Sequence, residues 1–361
     1  MKRIAVLTSG GDSPGMNAAI RAVAKLAAGQ GIRVFGSLEG YDGLIDGRFR
    51  ELTKQMSDGS ISVDVEVDTA GGQGGTLIGS ARSMRFRETE GRVTAVKQLK
   101  ANELEGLVVI GGNGSLTGAH FLAKEHAFPV MGIPGSIDND IGCTATALGV
   151  DTALNTIVEA CDRISDTARA HRRAFVVEVM GRDCGYLAMA SAVAMAADAV
   201  LIREQGKSEE QLMLDIAGVI RGGFARGKRR ILIIKAEGVS VPCTRLVRVT
   251  EEHLKAEIPS VEIRATVLGH VVRGGNPSYQ DRAVAGRLGF AAVTSLLQGA
   301  TDEMVGWLPP VSGGVPTADS SVVRFPLERV LEETRTLIDG TSPVTRRRIA
   351  LMERAAGVLP L

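Results

Sequence analysis

Two hydrophobic rhythms alternate along this chain. Short, nearly continuous apolar runs fall at residues 4–8, 33–38, 107–110, 130–133, 174–179, 199–202, 231–234 and 261–267. Runs of that length and continuity predict parallel strands buried on both faces. Between them the apolar residues recur at helical spacing. Leu212, Ile216 and Ile220 form one stripe, and Leu154, Ile157 and Ala160 mark another within 151–170. Strand–helix alternation of this kind predicts a doubly wound α/β architecture. No short repeat, low-complexity tract or long linker interrupts it. Domain boundaries are therefore expected where the chain crosses between sheets, near 149–152 and again near 271–275.

Composition narrows the picture a little. The 361 residues suit one large or two medium domains. Hydrophobic residues make up 44%, which argues against disorder. Lys plus Arg total 42 and Asp plus Glu total 41, so a net charge of +1 gives no reason to expect nucleic acid or an anionic membrane as partner. The apolar run at 4–7 is too short for a signal peptide or a membrane span and reads as the first strand. Cys143, Cys161, Cys184 and Cys243 form no CxxC pair. They are expected to be reduced, partly buried thiols of a cytoplasmic protein rather than zinc ligands.

In open α/β sheets ligands bind beyond the carboxyl ends of the strands. This sequence concentrates Gly, Asp, Asn and Arg there. Residues 8–17 (TSGGDSPGMN) follow the first strand and open a helix. Glycines let a backbone approach phosphate closely, and a helix start offers free N–H groups. The alternative is a plain tight turn, since neither GxGxxG nor Walker A is present. Residues 71–82 hold five glycines within 71–79 and end on Arg82, with Arg85 and Arg87 beyond. That segment suits a loop that folds over a polyphosphate, or a solvated hairpin. Residues 108–115 (VVIGGNGS) read as strand, turn and helix start, with Ser115 as a cap and Asn113 as either a ligand or a left-handed turn residue. Residues 134–140 (PGSIDND) put Asp138 and Asp140 at a strand end behind the hydroxyl of Ser136. Asp138 is a candidate general base and Asp140 a candidate metal or positioning group; an Asx-rich turn is the alternative. Arg172, Arg173, Arg182, Arg264, His270 and Arg273 all fall at ends of predicted strands, where arginines can grip phosphate. For His270 the alternative is a hydrogen-bonded core position, and for Glu237 an exposed helix cap.

Taken in order, these segments resemble the phosphofructokinase family. The strings IAVLTSGGDSPGMN (4–17), the Gly40–Tyr41 pair and GTLIGSAR (75–82) resemble its nucleotide half. PGSIDNDI (134–141), VVEVMGR (176–182) and RATVLGHVVRGG (264–275) resemble its sugar half. The similarity spans about residues 1–300. It implies an α/β fold of two similar Rossmann-like, three-layer domains with mostly parallel sheets and the active site between them. One domain would hold nucleotide (1–149 plus about 272–322) and the other the sugar phosphate (150–271 plus the C-terminal segment). The implied activity is transfer of a phosphoryl group from ATP to fructose 6-phosphate with Mg2+ as cofactor. Gly11, Tyr41, Arg82, Ser83, Gly112, Asn113, Gly114 and Ser115 would line the ATP site. Asp138 would be the base, with Ser136, Asp140 and Arg182 beside it. Ile137, Met180, Gly181, Arg182, Glu237, His270, Val271, Val272 and Arg273 would contact the sugar phosphate. Arg173 and Arg264 would reach in from a neighbouring copy, which implies an oligomer, a homotetramer.

Three departures qualify the resemblance. Asn113 stands where the family has a magnesium-associated Asp. Ser136 replaces a Thr but keeps the hydroxyl. At the family's basic effector site Arg21, Lys25, Lys54, Arg226, Lys228 and Glu204 are retained, while Ser165 replaces an arginine. Gly114 and Gly135 leave the turns without the side chains found in pyrophosphate users, so ATP is the expected donor. Pyrophosphate as donor, another sugar phosphate as acceptor, or a regulatory subunit of low activity are the competing readings.

Overall fold

The computed structural model describes residues 1–308, 311–319 and 321–356, with the side chains of 351–356 left aside. The chain forms two units: Met1–Thr152 with Arg273–Thr336, and Ala153–Val272 with Leu337–Leu361. The chain therefore passes between them three times. Residues 357–361, part of the C-terminal segment expected in the second domain, lie outside the described residues.

In chain order the first 152 residues supply β1 (Arg3–Ser9), β2 (Arg33–Ser37), β3 (Phe49–Glu51), β4 (Thr53–Gln55), β5 (Ile61–Val63), β6 (Leu107–Gly111) and β7 (Val130–Pro134). The middle of the chain supplies β8 (Arg173–Val179), β9 (Ala199–Leu201), β10 (Arg230–Ala236) and β11 (Ile263–Val267). Then come β12 (Glu303–Trp307), β13 (Val315–Pro316) and β14 (Val322–Pro326). All eight predicted runs are strands; the last is shorter than expected, because Val261 and Glu262 precede the paired segment.

The first unit is built on an eight-stranded sheet in the order β13-β14-β12-β7-β6-β1-β2-β3. Its five central strands pair in parallel, and antiparallel β3, β13 and β14 finish the edges. Every residue of β6 and β7 is buried, which is what the uninterrupted apolar runs required. The helices Met16–Gly29 and Tyr279–Leu297 cover this sheet, with Ile20, Val23, Leu288 and Ala292 in one core with Val6, Val108 and Met131. The short antiparallel strands and the additions after 300 escaped the sequence pattern because their runs are brief and half-exposed.

The second unit has a four-stranded parallel sheet, β11-β8-β10-β9. The predicted stripe Leu212–Ile216–Ile220 packs in its core with Val176, Ile231 and Ile233. Ser208 and Gln211 close a capping box at the start of that stripe's helix, Glu209–Ala225.

Two helix starts in the first unit share one buried carboxylate. Asp281, only 2% exposed, accepts hydrogen bonds from the Gly149 N–H (2.9 Å), the Thr152 N–H (2.8 Å) and the Thr152 hydroxyl (2.5 Å). Burial pushes its carboxyl upward, against the downward pull of those three donors. Gly149 follows Leu148, which pairs with Gly135 beside the 136–140 segment. Asp281→Ala strands three buried donors and should cost roughly 3 kcal/mol or more, seen as a lowered midpoint in chemical denaturation; Asp281→Asn, which keeps one acceptor oxygen, should cost less.

Candidate active site

β1 runs into the loop 8–17 through Gly10, whose φ of 88° lies in the left-handed region. That loop is laced to the glycine-rich segment 71–82. Thr8 Oγ1 donates to the Gly79 carbonyl and lies 2.8 Å from Thr76 Oγ1, and Ser80 Oγ donates to the Gly10 carbonyl. Asn17, 4% exposed, donates from Nδ2 to the Gln73 carbonyl (3.2 Å) and accepts the Leu77 N–H on Oδ1 (2.7 Å). No strand forms within 71–84, so the hairpin alternative falls: buried polar side chains give this glycine-rich backbone its shape. Arg273 also lies on the first loop. Its Nη1 is 3.4 Å from the Asp12 carbonyl and would stand 2.7 Å from a Cβ at Gly11. A residue read as a sugar-phosphate ligand thus belongs to the first unit.

The β6 turn differs from expectation in two ways. Gly112 is the residue at the cap position of the helix Asn113–His126, so Ser115 does not cap it. Ser115 sits inside the first turn and donates to the Ser9 carbonyl (2.9 Å), tying the ends of β1 and β6. Asn113 is the first helical residue, not a left-handed turn residue, and it is half-buried. Tyr41 supports the turn from beneath. Its ring is 3% exposed and stacked on Phe86 at 3.9 Å, and its hydroxyl donates to the Ser115 carbonyl (2.6 Å). Burial pushes that phenol well above its usual range. Ser83 Oγ donates to Asp42 Oδ1 (2.5 Å), and Arg85 pairs with Asp46 (2.9 Å). Arg82 is exposed and makes no ion pair among the described residues.

After β7 the segment 136–140 alternates half-buried and buried positions. Ile137 is fully buried, so its side chain packs in the core and only its backbone remains for a ligand. Asn139 takes φ 51°, which asparagine tolerates, and its carboxamide binds the Ala145 carbonyl (3.1 Å) and the Ala147 N–H (3.0 Å). Anchored on both sides in this way, Ser136, Asp138 and Asp140 share the more open side. Ser136 Oγ donates to Asp140 Oδ1 at 2.7 Å. Gly135 is close-packed, a Cβ there meeting the Met16 methyl at 3.2 Å, whereas a Cβ at Gly114 would meet nothing within 4 Å.

In the second unit the loops after β8, β10 and β11 lie side by side. The Glu237 N–H donates to the Val179 carbonyl, the Gly238 N–H to Gly181, and the Leu268 N–H to Glu178. This gathers Met180, Gly181, Arg182, Glu237 and the turn Gly269–Arg273 with His270 and Val271. Met180 and Val272 are buried, whereas Arg182, His270 and Val271 are exposed. His270 is therefore not a core histidine, and Glu237 sits in a strand-end turn rather than a helix cap. Arg173 and Arg264 both pair with Glu262, a residue the sequence reading passed over, and Arg173 above all holds that carboxyl below its usual range.

The basic group Arg21, Lys25 and Lys54 lies in the first unit and Glu204, Arg226 and Lys228 in the second. Most of these charges have local partners. Lys25 and Arg21 share Asp68 and hold its carboxyl down, Lys54 pairs with Asp64, and Lys228 with Asp198. Glu204 accepts the Gly185 N–H (2.7 Å). Ser165 is buried, and its hydroxyl meets Arg230 Nη1 at 3.1 Å.

The family model for phosphofructokinase matches residues 3–296. An ATP-dependent 6-phosphofructokinase of Brevibacillus brevis is 46% identical over 306 residues, covering 85% of this chain and 89% of that protein. One of Thermotoga petrophila is 43% identical over 339 residues, covering 93% and 96%. Among solved structures, Pichia pastoris phosphofructokinase in the T-state superposes with a TM-score of 0.82 at 33% identity; the match takes in 98% of this chain and 39% of that longer one.

Asn17→Leu keeps the volume but leaves the Leu77 N–H without its acceptor. The exchange rate of that amide with deuterated solvent should rise about tenfold or more, while amides in β6 stay protected.

Proposed function

Because this chain belongs to the phosphofructokinase family, we propose that it transfers the γ-phosphoryl group of ATP to the 1-hydroxyl of fructose 6-phosphate, giving fructose 1,6-bisphosphate in glycolysis. The chain is an enzyme, a kinase. The observation that carries the reading is the family match across residues 3–296 with relatives at 46% and 43% identity that are ATP-dependent 6-phosphofructokinases. The open turn at Gly114 supports ATP as donor, since a side chain there would enter the free volume.

Phosphoryl transfer asks for positioning and charge neutralisation more than covalent chemistry. In this reading the first unit binds nucleotide. Gly11, Gly112, Asn113, Gly114 and Ser115 offer backbone donors and a helix start to phosphate. Tyr41 and Ser83 shape that surface, and Arg82 supplies an exposed charge. Asp138 accepts the proton of the attacking hydroxyl, and the Ser136–Asp140 hydrogen bond holds the turn in which it sits. Met180, Gly181, Arg182, Glu237, His270, Val271 and Val272 hold the sugar phosphate from the second unit. Arg273 adds its charge at the first loop, beside the Gly11 and Asp12 backbone. Arg173 and Arg264 serve the site of a neighbouring copy in a homotetramer, with Glu262 holding them until then.

The donor set at these turns is oxygen, which fits magnesium. A magnesium ion bound there would keep water and substrate phosphates among its ligands. Asn113 and Asp140 are the residues that would hold it, and when bound it neutralises phosphate charge. No helix among the described residues is long and apolar enough to cross a membrane, and a cytoplasmic location agrees with the reaction. Effector binding at Arg21, Lys25, Lys54, Glu204, Arg226 and Lys228 would require opening the ion pairs that now occupy most of them.

Two measurements test this. In a coupled assay with fructose 6-phosphate, wild type should turn over with ATP and much more slowly with pyrophosphate. Asp138→Asn should then lower kcat by about 100- to 10,000-fold with little change in sugar KM; turnover within a few-fold of wild type would remove Asp138 as the base. Asn113→Asp restores a negative charge, so it should lower the free magnesium needed for half-maximal rate at fixed ATP. An unchanged requirement would mean this side chain does not face the ion.

A further inference from the structure

A lysine stands in the apolar core of the second unit. Lys235 follows Ile231 and Ile233 on the same face of β10, and it is 1% exposed. An ammonium so far from water is unfavourable unless its charge and protons find partners. Three are present. Nζ lies 2.9 Å from Glu178 Oε2, 3.2 Å from the Ala236 carbonyl and 3.2 Å from the Val239 carbonyl. An ammonium has three protons, so the set is complete.

The placement of those partners matters. Glu178 is opposite Lys235 in the parallel register of β8 and β10. It directly precedes the 179–182 loop, and its own carbonyl accepts the Leu268 N–H that leads into the His270 turn. The Ala236 and Val239 carbonyls bracket Glu237 and Gly238, whose N–H groups donate to Val179 and Gly181. Gly238 also packs so closely that a Cβ would meet the Arg182 carbonyl at 2.2 Å. The buried cation thus ties the bases of two loops directly, and the third joins them through the backbone bond from Leu268 to Glu178.

We propose that Lys235, with Glu178, is a positioning residue that sets the loops carrying Met180–Arg182, Glu237 and His270 in register to receive the sugar phosphate. The inference rests on the proposed sugar-phosphate role of those loops. It predicts a selective effect. Loss of the cation frees the 236–239 turn while leaving the nucleotide loops, which belong to the other unit, untouched.

The test is the double variant Lys235→Met/Glu178→Leu. Both charges go and volume is kept, so no unpaired charge is left in the core; the Val239 carbonyl loses its lysine donor, so the melting temperature should fall modestly while the protein stays folded. The KM for fructose 6-phosphate should rise about tenfold, with the KM for ATP within about twofold. Amide exchange at Glu237 and Gly238 should quicken in the same protein. Unchanged sugar KM, or equal rises for both substrates, overturns the proposal. Should wild type prove inactive on fructose 6-phosphate, quickened exchange still supports the brace and only the functional reading fails; unchanged exchange overturns the brace. If the double variant does not fold, Glu178→Gln, which keeps the lysine and both carbonyl bonds, should still raise the sugar KM several-fold, and no change would refute the role.

Discussion

Apart from the glycine-rich segment 71–82, which follows the helix Val65–Ala70, every loop to which chemistry is assigned in this chain leaves the end of a strand, where the backbone loses its sheet partners. Buried N–H and C=O groups there must be satisfied by something else. In this protein buried polar side chains do it. Asn17 serves Gln73 and Leu77, Ser115 serves Ser9, Asn139 serves Ala145 and Ala147, and Asp281 serves Gly149 and Thr152. In the second unit Lys235 does the same for Ala236 and Val239. Glycine-rich segments with no intrinsic shape become defined surfaces because these few groups are immobilised in the core.

The same arrangement separates holding from binding. The holding groups are buried; most of the groups assigned to ligands are half-buried or exposed, although Ser115, Met180, Gly181 and Val272 are buried. Along 136–140 the two classes alternate residue by residue, with Ile137 and Asn139 in the core and Ser136, Asp138 and Asp140 outside it. Tyr41 belongs to the first class, its hydroxyl spent on the Ser115 carbonyl behind the turn proposed to bind nucleotide. Charges follow a similar division. Arg173 and Arg264 share Glu262, and Arg21 and Lys25 share Asp68, so each of these cations, which the proposed function assigns to an anionic ligand, has an acid as its partner in the protein itself.

Much of this was legible from the amino acids in order. Continuous apolar runs identify parallel strands because both faces must be buried, and all eight were found. Most of the glycine, Asp and Arg clusters mark strand ends, which combine free backbone donors with access, whereas the glycines of 71–79 follow the helix Val65–Ala70. The weaker signals were short and half-exposed: the antiparallel edges β3, β13 and β14 carry no pattern that distinguishes them from loops. Lys235 and Asn17 were visible as polar residues in apolar stretches, and that incongruity is the signal by which a bracing residue can be recognised.

The eight predicted strands, their alternation with helices and the family resemblance were set by residue order alone, since local periodicity and motif order are properties of neighbouring residues. Only the tertiary structure decided that Ser115 ties two strands rather than capping its helix, that Arg273 lies on the Gly11–Asp12 backbone, and that Asp281 holds Gly149 across more than a hundred residues of chain. Those outcomes depend on which strands become neighbours and on the few ångströms between their ends. Hydrogen bonds form or fail over such distances, and no pattern along the chain encodes them.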